Sequence, residues 1–141
     1  MKKFFLVSFA LILMLGGISC NAKPANKENT KASVSDKVEV YYFHFTRRCI
    51  TCNAVETESK KAIEELYPEL VKSGKITFKG YNLDDASSTA IAKKCGAEGQ
   101  SLLVIKGAKK TDLTSQGFMY ARSNPDKLKA ELKKTIDPLI K

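Results

Sequence analysis

The stretch from Val38 to Leu66 constrains this chain more than any other. It begins V-E-V-Y-Y-F-H-F-T, β-branched or aromatic at nearly every position, the pattern of a strand buried on both faces. Arg47 and Arg48 follow, then C-I-T-C, then apolar residues at helical spacing: Val55, Ile63 and Leu66, with Ala54 and Ala62 filling in. Two cysteines therefore sit at a strand-to-helix junction, with Cys49 at or near the helix N-terminus. Aligned peptide dipoles place roughly half a positive elementary charge at that end. A thiolate at Cys49 is stabilised there, and its pKa is expected below the free value of about 8.5. Arg47 and Arg48 push the same way. Cys52, one turn deeper, is placed to attack a mixed disulfide formed at Cys49. Three uses of the pair stay open: dithiol–disulfide exchange, metal or metalloid binding, which shares the spacing, and an inert structural pair. The junction between a buried strand and a helix favours exchange.

A length of 141 residues is enough for one domain, and 43% apolar with 28% charged residues is an ordinary globular balance. The net charge is +9, of which Lys2 and Lys3 supply two. The basic residues come singly or as Lys-Lys pairs, so they describe a solvated lysine-rich surface or a docking face for anionic lipid or an acidic partner. No helix-turn-helix, finger or RNA-binding signature is present, and nucleic acid is not expected as a partner.

Residues 1–20 read M-K-K, an apolar run F-F-L-V-S-F-A-L-I-L-M-L, then G-G-I-S-C, the pattern of a bacterial export signal. The run is too short to span a membrane comfortably. G-I-S-C resembles a lipobox in which Cys20 is lipidated, although Gly17 stands where leucine is usual. Cleavage after Ala22, or an uncleaved anchor, are the alternatives. All three place the domain outside the cytoplasm, on the periplasmic side of a bacterial membrane, where disulfides persist. Residues 21–37, rich in Asn, Lys, Ser and Ala, read as a flexible tether. The domain then occupies residues 38–141.

After the first helix, Pro68 enforces a stop near Leu66, and Glu69 to Lys72 adds a turn closed by Ser73-Gly74. Lys75 to Leu83 reads as a second strand. Asp84-Asp85 is placed to cap a helix from Ala86 to Lys94 that turns Ala90 and Ile91 inward and ends at Cys95-Gly96. S-L-L-V-I is a third buried strand, Gly107 to Lys110 a tight turn, and Thr111 to Tyr120 a weaker fourth strand. Ser123-Asn124-Pro125 starts a last helix, with Leu128, Leu132 and Ile136 four apart. The order β-α-β-α-β-β-α predicts a mixed four-stranded sheet, parallel where helices intervene, with one antiparallel hairpin and helices on both faces.

This order, with C-x-x-C after the first strand, resembles the thioredoxin-like superfamily from Val38 to the C-terminus. Y-Y-F-H-F-T-R-R-C-I-T-C-N-A, G-Q-S-L-L and D-L-T-S-Q-G-F-M-Y-A-R resemble an exported branch. That branch is labelled as a subunit of nitrophenyl-compound reductase systems beside an aromatic-arsenical efflux permease. The resemblance implies a membrane-anchored thiol–disulfide oxidoreductase, with Cys49 attacking and Cys52 resolving. It further implies a membrane thiol–disulfide carrier as electron donor, a partner protein disulfide or thiophilic small molecule as substrate, and no cofactor beyond the Cys49–Cys52 pair itself. Its alternative is a module holding a soft metal or trivalent arsenic on Cys49 and Cys52, with Cys95 as a possible third ligand, or an accessory subunit of a nitroaromatic or arsenical reduction and efflux system. Two departures stand out. Gln100-Ser101 occupies the place of the family's cis-proline, and a cis bond without proline costs roughly 2.5–4 kcal/mol, so a trans bond is expected. Phe43 occupies the place of the buried acid beneath the resolving cysteine.

Other residues have two readings each. His44, the only histidine, is a hydrogen-bonded core residue, or a proton relay or metal ligand near the cysteines. Cys95 is a plain buried thiol, or a third soft ligand or regulatory thiol. Arg47 and Arg48 are solvated charges, or they tune Cys49 or receive an anion. Tyr120 and Arg122 pack on the surface or bind an anion. Gln100 and Ser101 are a substrate loop or ordinary loop residues.

Overall fold

The computed structural model describes residues 36–141. The leader, the lipidation position Cys20 and most of the tether lie outside the described residues. No helix among the described residues is long and apolar enough to cross a membrane.

The fold is α/β, a mixed four-stranded sheet with helices on both faces. Strand β1 (Val38–His44) lies at the centre, with β2 (Ile76–Asn82) on one side and β3 (Ser101–Lys106) on the other; β4 (Lys109–Asp112) forms the far edge. Helix α1 (Ile50–Leu66) leads to a short α2 (Pro68–Lys72), and the second crossover carries α3 (Thr89–Cys95) behind a single 3₁₀ turn. Two helices, α4 (Thr114–Tyr120) and α5 (Pro125–Ile136), close the chain.

Alternation along β1 divides the core. Val38, Val40 and Tyr42 face α1, α4 and α5, where Val55, Ile63, Leu128, Leu132 and Ile136 are buried against them. Tyr41 and Phe43 face α3, packing with Ala92, Cys95 and Leu103. Cys49 is the N-cap of α1, Tyr67 follows its last residue, and Pro68 opens α2. Asn124 caps α5 by accepting from the Lys127 amide, with Pro125 in the first helical position.

Four sequence expectations are corrected. Thr111 to Tyr120 is not a strand: pairing ends at Asp112, and Thr114 to Tyr120 is helical. Asp112 Oδ1 accepts from the Thr114 amide at 2.8 Å, while Thr114 Oγ1 accepts from the Leu102 amide at 3.0 Å, which turns the chain away from the sheet. The buried positions Leu113, Gly117 and Ala121 then recur at helical spacing. Gly117 allows the approach, because a Cβ there would stand 3.1 Å from Val55 Cγ1 and 3.3 Å from Leu102 Cδ2.

Strand β3 is antiparallel to β1, although a helix precedes it; only β1 and β2 pair in parallel. The chain leaves β2 at Asn82, opposite His44, and re-enters the sheet at the same end, with Ser101 opposite Phe43, so β3 runs back along β1.

Asp84 and Asp85 do not cap the second crossover helix through their side chains. Asp84 Oδ2 instead accepts from the Thr46 amide at 2.8 Å, and Asn82 Nδ2 donates to Thr46 Oγ1 at 2.8 Å, pinning the loop after β1 to the end of β2. The inward residues of α3 are Ala92 and Cys95, with Ile91 half-buried; Ala90 is exposed. Gly96 ends the helix at φ 64°, a left-handed conformation suited to glycine.

Candidate functional site

The loop pinned by Asp84 delivers Cys49 to the N-terminus of α1 with an extended backbone, φ −80° and ψ 167°. Its sulfur accepts from the Cys52 amide at 3.4 Å, so the thiol itself caps the helix. Cys49 is exposed and Cys52 is 4% exposed, and their sulfurs are 2.8 Å apart. Both are thiols in this structure.

The two thiols are pushed in opposite directions. Hydrogen bonding from the Cys52 side chain, then from the Cys52 amide, holds the Cys49 pKa below its ordinary value. Burial, then the hydrogen bond with Cys49, pushes the Cys52 pKa up. The exposed sulfur is the better thiolate and the buried one keeps its proton.

The single hydrogen of the Cys52 thiol has two acceptors within reach: the Cys49 sulfur at 2.8 Å when Cys49 is ionised, and otherwise Gln100 Oε1 at 3.1 Å, a contact made by the antiparallel entry of β3. Ser101 turns its hydroxyl onto the Gly99 carbonyl, at 3.1 Å, and does not join the pair. Residues Gly96 to Ser101 line a cavity of about 230 Å³ together with Leu103, Lys110, Asp112 and Thr114.

Arg48 is half-buried and forms an ion pair with Glu56, a partner the sequence reading did not single out. Its influence on Cys49 is correspondingly displaced: the groups that lower the Cys49 pKa are the Cys52 thiol and backbone amides. Arg47 is exposed. Glu56 follows Cys52 by one helical turn and Cys49 by two, so the three share a face of α1. Its carboxylate lies over β2 at Gly80, where a Cβ would collide with Oε1 and stand 3.7 Å from His44 Nε2. His44 is half-buried; its Nδ1 bonds the Phe45 carbonyl at 3.0 Å, and its ring is 5.9 Å from that of Tyr42.

Tyr42 is the second residue the sequence reading passed over, because it read only as a strand aromatic. It is 0% exposed, yet its hydroxyl has no hydrogen-bond partner among the described residues. Burial raises its pKa first; then the groups acting on it are, in order, Cys52, Arg48, Glu56 and Cys49.

Cys95 is not brought to the pair. It lies on the opposite face of the sheet among Tyr41, Phe43 and Leu103, its pKa raised by burial. No group of three or more His, Cys, Asp or Glu side chains suited to a metal ion occurs among the described residues. The three-thiol site is therefore not assembled. Phe43 faces that same second core, so β1 offers no acid beneath Cys52. Tyr120 carries Lys127 Nζ 4.5 Å from its ring centroid, and Arg122 is exposed.

No protein-family model and no curated protein matches the sequence. Among solved structures, one described as "Structure of a malarial protein" is similar over 70% of this chain and 96% of its own, with 20% identity and a TM-score of 0.44. A likeness that loose carries nothing about function.

Proposed function

We propose that this chain is a thiol–disulfide oxidoreductase of thioredoxin-like fold, exported and held at the membrane through a lipid on Cys20. The observation that carries the reading is the asymmetry of the pair. An exposed, helix-capping Cys49 with a lowered pKa sits 2.8 Å from a buried Cys52 with a raised one. A parallel β1-α1-β2 unit followed by an antiparallel β3-β4 hairpin, with C-x-x-C at the head of α1, supports the thioredoxin-like assignment.

In the forward direction the Cys49 thiolate attacks one sulfur of a partner disulfide. That bond breaks, a mixed disulfide forms at Cys49, and the departing partner thiolate takes a proton from water. Cys52 then attacks Cys49 Sγ. The Cys49–Cys52 bond forms, the second partner sulfur leaves, and it receives the proton given up by Cys52. The pair is oxidised by two electrons and the partner is reduced by two; a membrane thiol–disulfide carrier restores the dithiol. Ile50, 67% exposed beside Cys49, offers an apolar contact to a protein partner.

The test is capture. Cys52→Ser expressed in the native cell leaves Cys49 unable to release its partner, so a reducible covalent adduct accumulates and mass spectrometry identifies what is attached. Absence of any adduct that also requires Cys49 overturns the reading.

A further inference from the structure

The two ends of the sheet differ in charge. Cys49 lies beyond the end where β1 finishes, and there exposed carboxylates, Asp84, Asp85 and Asp112 among them, accompany the basic residues. The opposite end is the one where the chain enters at Asp36. Val38 starts β1 opposite Ile76, the first residue of β2, and its amide donates to the Lys75 carbonyl at 2.9 Å. The hairpin between β3 and β4 turns at this same end, with Lys106 opposite Lys109. Lys106 ties the end together: its Nζ lies 3.1 Å from the Asp36 carboxylate and donates to the Leu139 carbonyl at 2.7 Å. The chain entry, the hairpin tip, the turn from α2 into β2 and the residues after α5 therefore share one face. Across the four strands, Lys75 and Lys109 stand about 14 Å apart at backbone level.

That face is basic beyond what the overall charge requires. Lys72, Lys75 and Lys109 are exposed and form no ion pair among the described residues. Two of the carboxylates there are already engaged, Asp36 by Lys106 and Asp137 by Lys133; Glu69 is exposed in the same short helix as Lys72. Ile140, 38% exposed, sits on this face between Leu139 and Lys141. Unpaired lysines around an exposed isoleucine fit a lipid surface, where headgroup phosphates meet the charge and the acyl boundary meets the side chain. The order of the chain points to the same partner, since the face receives the chain at Asp36, 16 positions after Cys20.

We propose that this end of the sheet docks on an anionic lipid surface and seats the domain with its cysteine end outward. The proposal rests on the membrane reading above and adds an orientation to it. Strand β1 spans roughly 20 Å, so docking holds the far end of the sheet at least that distance from the lipid, beyond a Debye length of about 8 Å. Cys49 and Ile50 then stay clear of the surface and open to a partner protein.

The experiment places the full chain, purified as the cell makes it, on vesicles of phosphatidylcholine alone and of phosphatidylcholine mixed with phosphatidylglycerol. Acetylation rates are mapped lysine by lysine with mass spectrometry, and Cys49 alkylation is followed in parallel. On the anionic vesicles Lys72, Lys75 and Lys109 are expected to be protected at least about threefold relative to the neutral ones, an effect lost in high salt. Lys93 and Lys94 of α3, where Lys93 shares a cavity with Phe45 near the cysteine end, are expected to keep their rates, as is Cys49. The double variant Lys75→Glu/Lys109→Glu is expected to return Lys72 to its neutral-vesicle rate. Lys93→Glu/Lys94→Glu changes the net charge equally and is expected to leave the protection in place. All four positions are exposed, and melting temperatures confirm that both variants fold. Equal loss of protection in the two double variants would reduce the effect to net charge and overturn the proposal. So would protection that spreads to Lys93 and Lys94, or that does not depend on phosphatidylglycerol. Protection by soluble polyglutamate but not by the anionic vesicles would assign the face to an acidic protein and likewise overturn it. If intact mass finds no lipid on Cys20, the anchoring reading fails, and the anionic-against-neutral comparison still decides the docking.

Discussion

Gln100 accepts a hydrogen bond from the thiol of Cys52 at 3.1 Å, across 48 positions of sequence. The contact exists because β3 enters the sheet at the end where β1 leaves it, with Ser101 opposite Phe43. An amide oxygen can only accept, so this contact favours the thiol form of Cys52 over its thiolate.

Replacing that amide by a carboxylate adds negative charge beside a sulfur that must become negative. Gln100→Glu is expected to raise the ionisation midpoint of Cys52 by at least about one pH unit. Thiolate absorbance in the Cys49→Ser background checks this, and an unmoved midpoint contradicts the contact.

Cys49 is expected to alkylate first. Its folded pKa is depressed, so its rate rises with pH through a midpoint below the free-thiol value of about 8.5, whereas Cys52 reacts only above it. The linkage signs are opposite. Cys49 adds stability that is fully present above its unfolded pKa and is lost as pH falls through its folded one. Cys52 takes stability away as pH rises past its unfolded pKa. Iodoacetamide rates against pH, with peptide mapping of the modified cysteine, decide the order.

Asp84 is held in its charged form first by the Thr46 amide and then by the Thr46 side chain, which lowers its pKa. A depressed carboxylate pKa gives stability present above the unfolded value and lost as pH falls through the folded one. Asp84→Asn is therefore expected to melt below wild type at neutral pH and to converge with it in acid. It should also speed alkylation of Cys49 relative to global unfolding, because the loop that delivers Cys49 loses its anchor. Parallel melting curves at all pH values would contradict the role.

Gly117 sits in α4 with Val55 and Leu102 at 3.1 and 3.3 Å from where a Cβ would be. Gly117→Val overfills that contact and is expected to cost about 1–3 kcal/mol in denaturant unfolding. Were residues 111–120 a strand, a β-branched side chain would be welcome there and stability would rise.

The parts of the fold carried by local pattern were legible in the sequence. A strand apolar on both faces, a proline directly after a helical run and an Asn-Pro helix start announced β1, the end of α1 and the start of α5. The segment 111–120 misled because Thr, Phe and Tyr favour strands one by one, while its helical form depends on a glycine fitting between Val55 and Leu102. The direction of β3 follows from the end of the sheet at which the chain re-enters, opposite Phe43, which composition does not mark. The cysteine pair was plain, and so was Gln100 as a residue of interest. Glu56 could have been found by counting turns from Cys49 along α1. Tyr42 could not, since an orphaned hydroxyl is a property of packing and appears only when every neighbour is in place.

The central claim is that Cys49 and Cys52 form a reversible redox pair. The most direct measurement equilibrates the purified protein in glutathione buffers of increasing oxidation and follows the pair by thiol trapping and intact mass. The account predicts one two-electron transition that forms the Cys49–Cys52 disulfide, leaves Cys95 reduced, reverses fully and disappears in Cys49→Ser. A pair that stays reduced across the whole range, or that oxidises only irreversibly, would contradict it.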